Sequence, residues 1–121
     1  MISKKTIVLG ASTNPSRYSF MVVNRLKEKQ HEVIPVGIKK GEIAKLPIVN
    51  GKPLVEEVDT LTLYIGEAIQ KDYYDYILEL NPKRVIFNPG TYNAELMELL
   101  RDNQIEVVEA CTLVMLSAGT Y

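Results

Sequence analysis

The chain has 121 residues, 46% of them apolar and 24% charged, which suits one globular domain spanning residues 1–121. A formal net charge of −1 supplies no field to draw nucleic acid or an anionic membrane surface. The lone cysteine, Cys111, excludes an internal disulfide, and a single histidine leaves no Cys/His cluster for zinc. Met1–Lys5 leads into a strand without a cleavable apolar segment, and no apolar run approaches a bilayer span, so a cytoplasmic location is expected.

Thr6–Leu9 is continuous and β-branched, the pattern of a strand buried on both faces. From Tyr18 to Gln30, Phe20, Val22, Val23 and Leu26 recur at helical spacing. Glu32–Ile38 predicts a second strand, with Pro35 near its end or towards an edge because proline gives the ladder no donor. Gly41, Pro47, Gly51 and Pro53 break any period over 39–60, leaving room for a short edge strand around Ile48 or Leu54.

Leu61–Ile65 predicts the third main strand. Glu67–Leu80 predicts one helix burying Ile69, Tyr73, Tyr76, Ile77 and Leu80, stopped at Asn81-Pro82. Arg84–Phe87 is the fourth strand and Asn88-Pro89-Gly90 a turn. Asn93 caps a helix running to about Asn103 with Leu96, Met97, Leu99 and Leu100 inward; Ile105–Glu109 is the last strand, and Cys111–Ser117 a closing helical turn. Strands alternating with helices imply an α/β fold: a doubly wound, Rossmann-like parallel sheet of about five strands with helices on both faces and the first strand central.

Ligands of such sheets bind beyond the C-terminal strand ends, where the winding reverses. Four turns fall at that rim: Gly10–Ser19, Gly37–Lys40, Tyr64–Gly66 and Asn88–Gly90. In the first, Gly10 permits a tight turn and Ser12 offers a small hydroxyl where a dinucleotide fingerprint has its second glycine. Asn14 can close the loop, and Arg17 can reach a diphosphate with two N–H donors. The plainer alternative is a connecting turn with Arg17 solvated. After the second strand, Gly37-Ile38-Lys39-Lys40 lacks the acidic residue an NAD site needs. Two lysines suit a phosphorylated ribose, as in NADP or coenzyme A, or simply lie in solvent.

The blocks Gly10-Ala11-Ser12-x-Asn14-Pro15-x-Arg17-x-Ser19, Val33-Ile34-Pro35-Val36 and Val58-Asp59 resemble the small bacterial CoA-binding domain proteins, related to the CoA-binding part of the succinyl-CoA synthetase α subunit. The likeness runs from about Lys5 to Cys111. It implies that Gly10, Ala11, Ser12, Asn14, Arg17, Tyr18 and Ser19 hold the diphosphate of coenzyme A. It also implies that Val36, Gly37, Ile38 and Lys39 lie beside the adenosine, and that Tyr64, Asn88 and Gly90 flank the rest of the groove. The chain departs from the pattern at Gly37-Ile38, where relatives often carry Asn-Pro, at Tyr64-Ile65-Gly66, where many have basic residues, and at Ala110-Cys111, where Arg-Cys is frequent.

Synthetase chemistry passes a phosphoryl group through a histidine in the groove. His31 instead precedes the second strand, at the opposite rim, and is expected at a helix end on the surface. No catalytic or metal-binding residues are assigned. Cys111 follows the last strand and so lies towards the ligand rim, where a thiol could take an acyl group; an inert, buried cysteine is the commoner case. The expected function is binding of coenzyme A or an acyl-CoA by a non-catalytic carrier, sensor or regulatory module. The alternative is an NADP-dependent oxidoreductase domain or an accessory subunit of an acyl-CoA enzyme, with a homo-oligomer or an unidentified protein as partner.

Overall fold

Strands and helices alternate along the chain because apolar β-branched runs alternate with amphipathic ones. The computed structural model describes residues 2–121. The order is β1 (Thr6–Leu9), α1 (Tyr18–Glu28), β2 (Val33–Val36), β3 (Glu42–Ile43), β4 (Leu46–Pro47), β5 (Thr60–Leu63) and α2 (Glu67–Gln70). A 3-10 turn (Lys71–Tyr73), α3 (Tyr74–Leu80), β6 (Arg84–Phe87), α4 (Ala94–Asp102), β7 (Glu106–Glu109) and α5 (Thr112–Ala118) follow.

The sheet is parallel with strand order β2-β1-β5-β6-β7, so the chain winds outward from β1, returns to its other side and winds away again. Residues alternate between faces along each strand. Ile7, Leu9, Leu61, Leu63, Val85 and Phe87 meet Tyr76, Ile77 and Leu80 of α3 and Leu96, Met97 and Leu100 of α4. Val8 meets Val22, Val23 and Leu26 of α1 and Leu116 of α5 on the other face. Thr6, Thr60 and Thr62 are fully buried, each with its hydroxyl bonded.

The irregular stretch after β2 folds into the β3–β4 hairpin, and Val49 then pairs with Val36 through a single parallel bridge. The expected edge strand is thus reduced to one bridge outside β2. Val49 N–H donates to the Pro35 carbonyl at 2.9 Å. That carbonyl therefore faces outward, and so does the donor proline lacks; the loss falls where the ladder is only one bridge long.

The expected helix over 67–80 is broken. Gln70, not Ile69, is fully buried, and Ile69 is 54% exposed. Gln70 Nε2 donates to the Ile65 carbonyl at 2.9 Å and to the Thr91 carbonyl at 2.8 Å, while Gln70 Oε1 accepts from Asn93 Nδ2 at 2.9 Å. Three hydrogen bonds turn the first helical turn about its axis, and the 3-10 segment takes up the mismatch before α3. Tyr74, outside the apolar face of the expected helix, is half-buried and its hydroxyl is bonded to Asn93 and Glu95. Asn93 caps α4 as expected, its side chain accepting from Leu96 N–H at 3.2 Å.

At the N-terminal rim Tyr121 folds back against the sheet. Its ring lies 4.6 Å from the Arg84 guanidinium and 5.0 Å from the His31 ring, and its hydroxyl pairs with Thr6 Oγ1. His31 is half-buried rather than a free surface side chain, and its Nδ1 accepts from Lys4 N–H at 2.9 Å. That bond requires an unprotonated Nδ1. Burial, then the Lys4 and Arg84 charges, hold the imidazole below its usual 6.5, with Asp59 acting the other way. The unfolded chain therefore protonates His31 at higher pH than the folded one. Stability carried by the neutral ring is present above 6.5 and lost as pH falls through the lower folded-state value. Urea melts should show wild type losing stability as pH falls below 6.5, and His31→Phe losing less of it. Equal losses in both proteins would remove His31 as the source.

Candidate functional site

The site is built where three chain segments meet at the C-terminal end of β1. Gly10 and Ala11 both donate their N–H to the Val36 carbonyl at 2.9 Å, and Tyr64 N–H donates to the Leu9 carbonyl at 2.9 Å. Gly10 adopts φ +103°, and a Cβ there would stand 3.0 Å from the Tyr64 carbonyl. Gly37 is tighter still: a Cβ would come within 2.3 Å of the Ala11 carbonyl oxygen. Both glycines are required by close backbone approach rather than by flexibility. A Cβ on Gly41 would meet the Thr13 methyl at 2.4 Å, so the Lys39–Gly41 turn lies directly against the first loop.

Within that loop Asn14 Oδ1 accepts from Ser16 N–H at 3.0 Å and Ser16 Oγ at 2.8 Å, and Ser12 Oγ accepts from Asn14 N–H at 3.1 Å. Ser19 is buried in the first turn of α1, whereas Arg17 and Tyr18 are exposed. Among the described residues, the N–H groups of Ser12, Thr13, Tyr18 and Ser19 have no protein acceptor. Helix α1 starts without a side-chain cap and without an acidic residue in its first turn. The contrast with α4, which has Asn93 and Glu95, is plain. An uncapped start with free donors is where the helix dipole favours an anion. The donors differ from those of the simplest expectation, since Gly10 and Ala11 spend theirs on Val36.

The cations around this corner are uncommitted. Arg17, Lys39 and Lys40 are exposed and, among the described residues, make no side-chain hydrogen bond or ion pair. Ile38 between them is 86% exposed. Asn50 fixes the backbone of the Gly37–Lys39 turn by donating to the Gly37 carbonyl at 2.7 Å and the Lys39 carbonyl at 3.1 Å.

Two expected rim side chains face inward. Asn88 is 3% exposed; its Nδ2 donates to Thr62 Oγ1 at 2.7 Å and the Leu63 carbonyl at 2.8 Å. Its Oδ1 accepts from Thr112 N–H and Thr112 Oγ1, each at 2.9 Å. All four bonds tie β5, β6 and the start of α5 together, leaving no side-chain donor for a ligand. Tyr64 is half-buried among side chains of the α1/α5 face, and its hydroxyl lies buried near Thr62 and Thr112 without a well-formed hydrogen bond. Burial pushes that phenol up to about 12, so it stays neutral and supplies no base near neutrality. Gly90 keeps its place in an exposed turn, with φ +88° after Pro89 and Thr91 N–H closing on the Asn88 carbonyl at 3.0 Å. Cys111 is half-buried just before α5.

Two surface hollows, of about 380 and 360 Å³, lie on the outer faces of α4 and α5 and include no residue of these loops. Loop chemistry, rather than depth, marks the corner as the candidate site. No helix among the described residues is long and apolar enough to cross a membrane.

Comparison with known proteins identifies the family and the fold. The profile of a family described as "CoA binding domain" matches residues 4–117. A crystal structure described only as that of an uncharacterized protein is 55% identical with a TM-score of 0.97, covering 100% of both chains. A Thermus thermophilus protein is 27% identical with a TM-score of 0.85, over 98% of this chain and 91% of its own. A Pyrococcus horikoshii protein, 22% identical with a TM-score of 0.85 over 96% of this chain and 83% of its own, shares the fold. No curated protein matches the sequence.

Proposed function

The chain belongs to the CoA binding domain family, and from that premise we propose that it holds coenzyme A, or an acyl-CoA, across the C-terminal rim of the sheet as a non-catalytic carrier, sensor or regulatory module. One observation carries the proposal: the N–H groups of Ser12 and Thr13 in the first loop, and of Tyr18 and Ser19 at the uncapped start of α1 into which it leads, are unclaimed. In this reading they receive the diphosphate, with Arg17 adding a charge-assisted contact. Ile38 and Lys39 border the adenosine, and Lys40 stands ready for the phosphate on its ribose. Gly10, Ala11, Val36 and Gly37 shape the corner rather than donate to the ligand. Asn88 and Tyr64 support it from below, and Gly90 opens the far end. The neutral Tyr64 phenol and the absence of a groove-facing histidine fit binding without catalysis.

Thermal shift with coenzyme A, 3′-dephospho-coenzyme A, NADP and NAD tests the proposal, since a ligand that binds only the native state raises the melting temperature. Coenzyme A is expected to stabilise most, and its dephospho form less. A larger shift with NADP would favour the oxidoreductase alternative and overturn the proposal. Arg17→Ala is expected to weaken coenzyme A binding by about 1.5–3 kcal/mol, read by calorimetry, with the melting temperature of the free protein unchanged. Unaltered affinity would take Arg17 out of the site.

A further inference from the structure

Beyond the phosphate corner, the same rim carries a feature unused by the proposal above. Gln70 and Asn93 are 0% and 1% exposed and hydrogen-bonded to one another, and Gln70 also holds the Thr91 carbonyl. This bracket locks the loop after β5 to the loop after β6, at the cost of a continuous helix. The residues beside the locked ones are apolar and exposed: Ile69 at 54%, adjoining Gln70, and Tyr92 at 61%, between Thr91 and Asn93. Isolated exposed apolar residues are ordinary. Ile69, in α2 just past β5, and Tyr92, in the loop after β6, are on rigidly joined segments and so pre-organised for contact, because ordering them costs a ligand little. Gly66 and Gly90 on the same two loops have open space where a side chain would stand.

The direction of the coenzyme follows from the strand order. With the diphosphate over β1 and the adenosine over β2, the pantetheine arm runs the other way, over β5 and β6. Two strand spacings amount to about 10 Å, within the span of that arm. Its sulfur end therefore arrives where Ile69 and Tyr92 stand.

Resting on the coenzyme A reading, we infer that the protein is built for an acyl-CoA with a neutral, apolar acyl chain, which lies against Ile69 and Tyr92 beside Gly66 and Gly90. Binding by calorimetry of free coenzyme A, acetyl-CoA and octanoyl-CoA, all below micelle-forming concentrations, tests it. Octanoyl-CoA is expected to bind about tenfold tighter than the free coenzyme, with acetyl-CoA between them, as apolar area leaves water. In the Ile69→Ser/Tyr92→Ser double variant the ratio of the two affinities is expected to fall to about one. Equal affinities in wild type would overturn the inference and leave the coenzyme reading standing. An octanoyl preference that survives in the double variant would also overturn it, placing the chain elsewhere. Failure of wild type to bind any of the three would overturn the underlying reading instead.

Discussion

Gly37→Ala is expected to abolish detectable coenzyme A binding and to lower stability by about 3 kcal/mol, as overpacking against immovable atoms does. The new methyl would stand 2.3 Å from the Ala11 carbonyl oxygen and 3.2 Å from the Ile48 methyl. The first obstacle is main chain and cannot rotate aside. Nor can residue 37 retreat, because its N–H bonds the Val49 carbonyl at 3.1 Å and its carbonyl accepts from Asn50. The strain must therefore go into the turn carrying the free donors of Ser12 and Thr13. Gly66→Ala is the control, with φ −72° and nothing within 4 Å. A fall in melting temperature of roughly 10 °C for Gly37→Ala, against almost none for Gly66→Ala, is the expected result. Similar melting curves for the two variants would mean that the β1 and β2 turns are not held this close in solution.

Asn88→Ala is expected to destabilise by about 3–5 kcal/mol in urea unfolding, the most of any single polar substitution in the chain. The variant removes four hydrogen bonds and strands the Leu63 carbonyl and the Thr112 N–H in a buried place. It also leaves a void beneath β6. The Thr62 and Thr112 hydroxyls can still pair, at 2.8 Å, which limits the damage on that side. Native-state hydrogen exchange should show the first turn of α5 losing protection before the rest of the sheet. A loss below about 1 kcal/mol would mean that the side chain is not the hub described here.

Much of the fold was legible because local and global signals coincide. Ile7–Leu9 and Val85–Phe87 are continuous apolar runs, and the strands fall at Thr6–Leu9 and Arg84–Phe87 as expected; Asn93 is both a favoured cap residue and an actual cap. Pro35 fixed its own strand near an edge through the one bond it cannot make. The break in the helix over 67–80 was illegible, since Ile69, Tyr73, Tyr76, Ile77 and Leu80 are correctly spaced for one helix. What overrides them is Gln70, whose partners Ile65, Thr91 and Asn93 reach up to 23 residues away. Periodicity reports the face a helix buries and says nothing of a polar side chain recruited by a distant loop.

At the candidate site, residue types pointed to this corner but not to the division of labour within it. Nothing in Gly10-Ala11 reveals that both N–H groups are spent on Val36, or that those of Ser12, Thr13, Tyr18 and Ser19 are the ones left over. Asn88 and Tyr64 stand at the expected rim, yet their side chains turn down, Asn88 onto Thr62 and Thr112 and Tyr64 into the apolar side chains of the α1/α5 face. Gly41 and Asn50 left no functional trace in the sequence, being felt only through Thr13 and the Gly37 carbonyl.

The outer strand β7 begins and ends on exposed glutamates, with half-buried valines between. If two molecules tried to extend their sheets by antiparallel contact centred on Val107 and Val108, Glu106 of each would oppose Glu109 of the other. Like charges directly across a ladder repel. This margin therefore discourages fibre-like growth, and a Glu106→Gln/Glu109→Gln variant, lacking those charges, would lift the barrier.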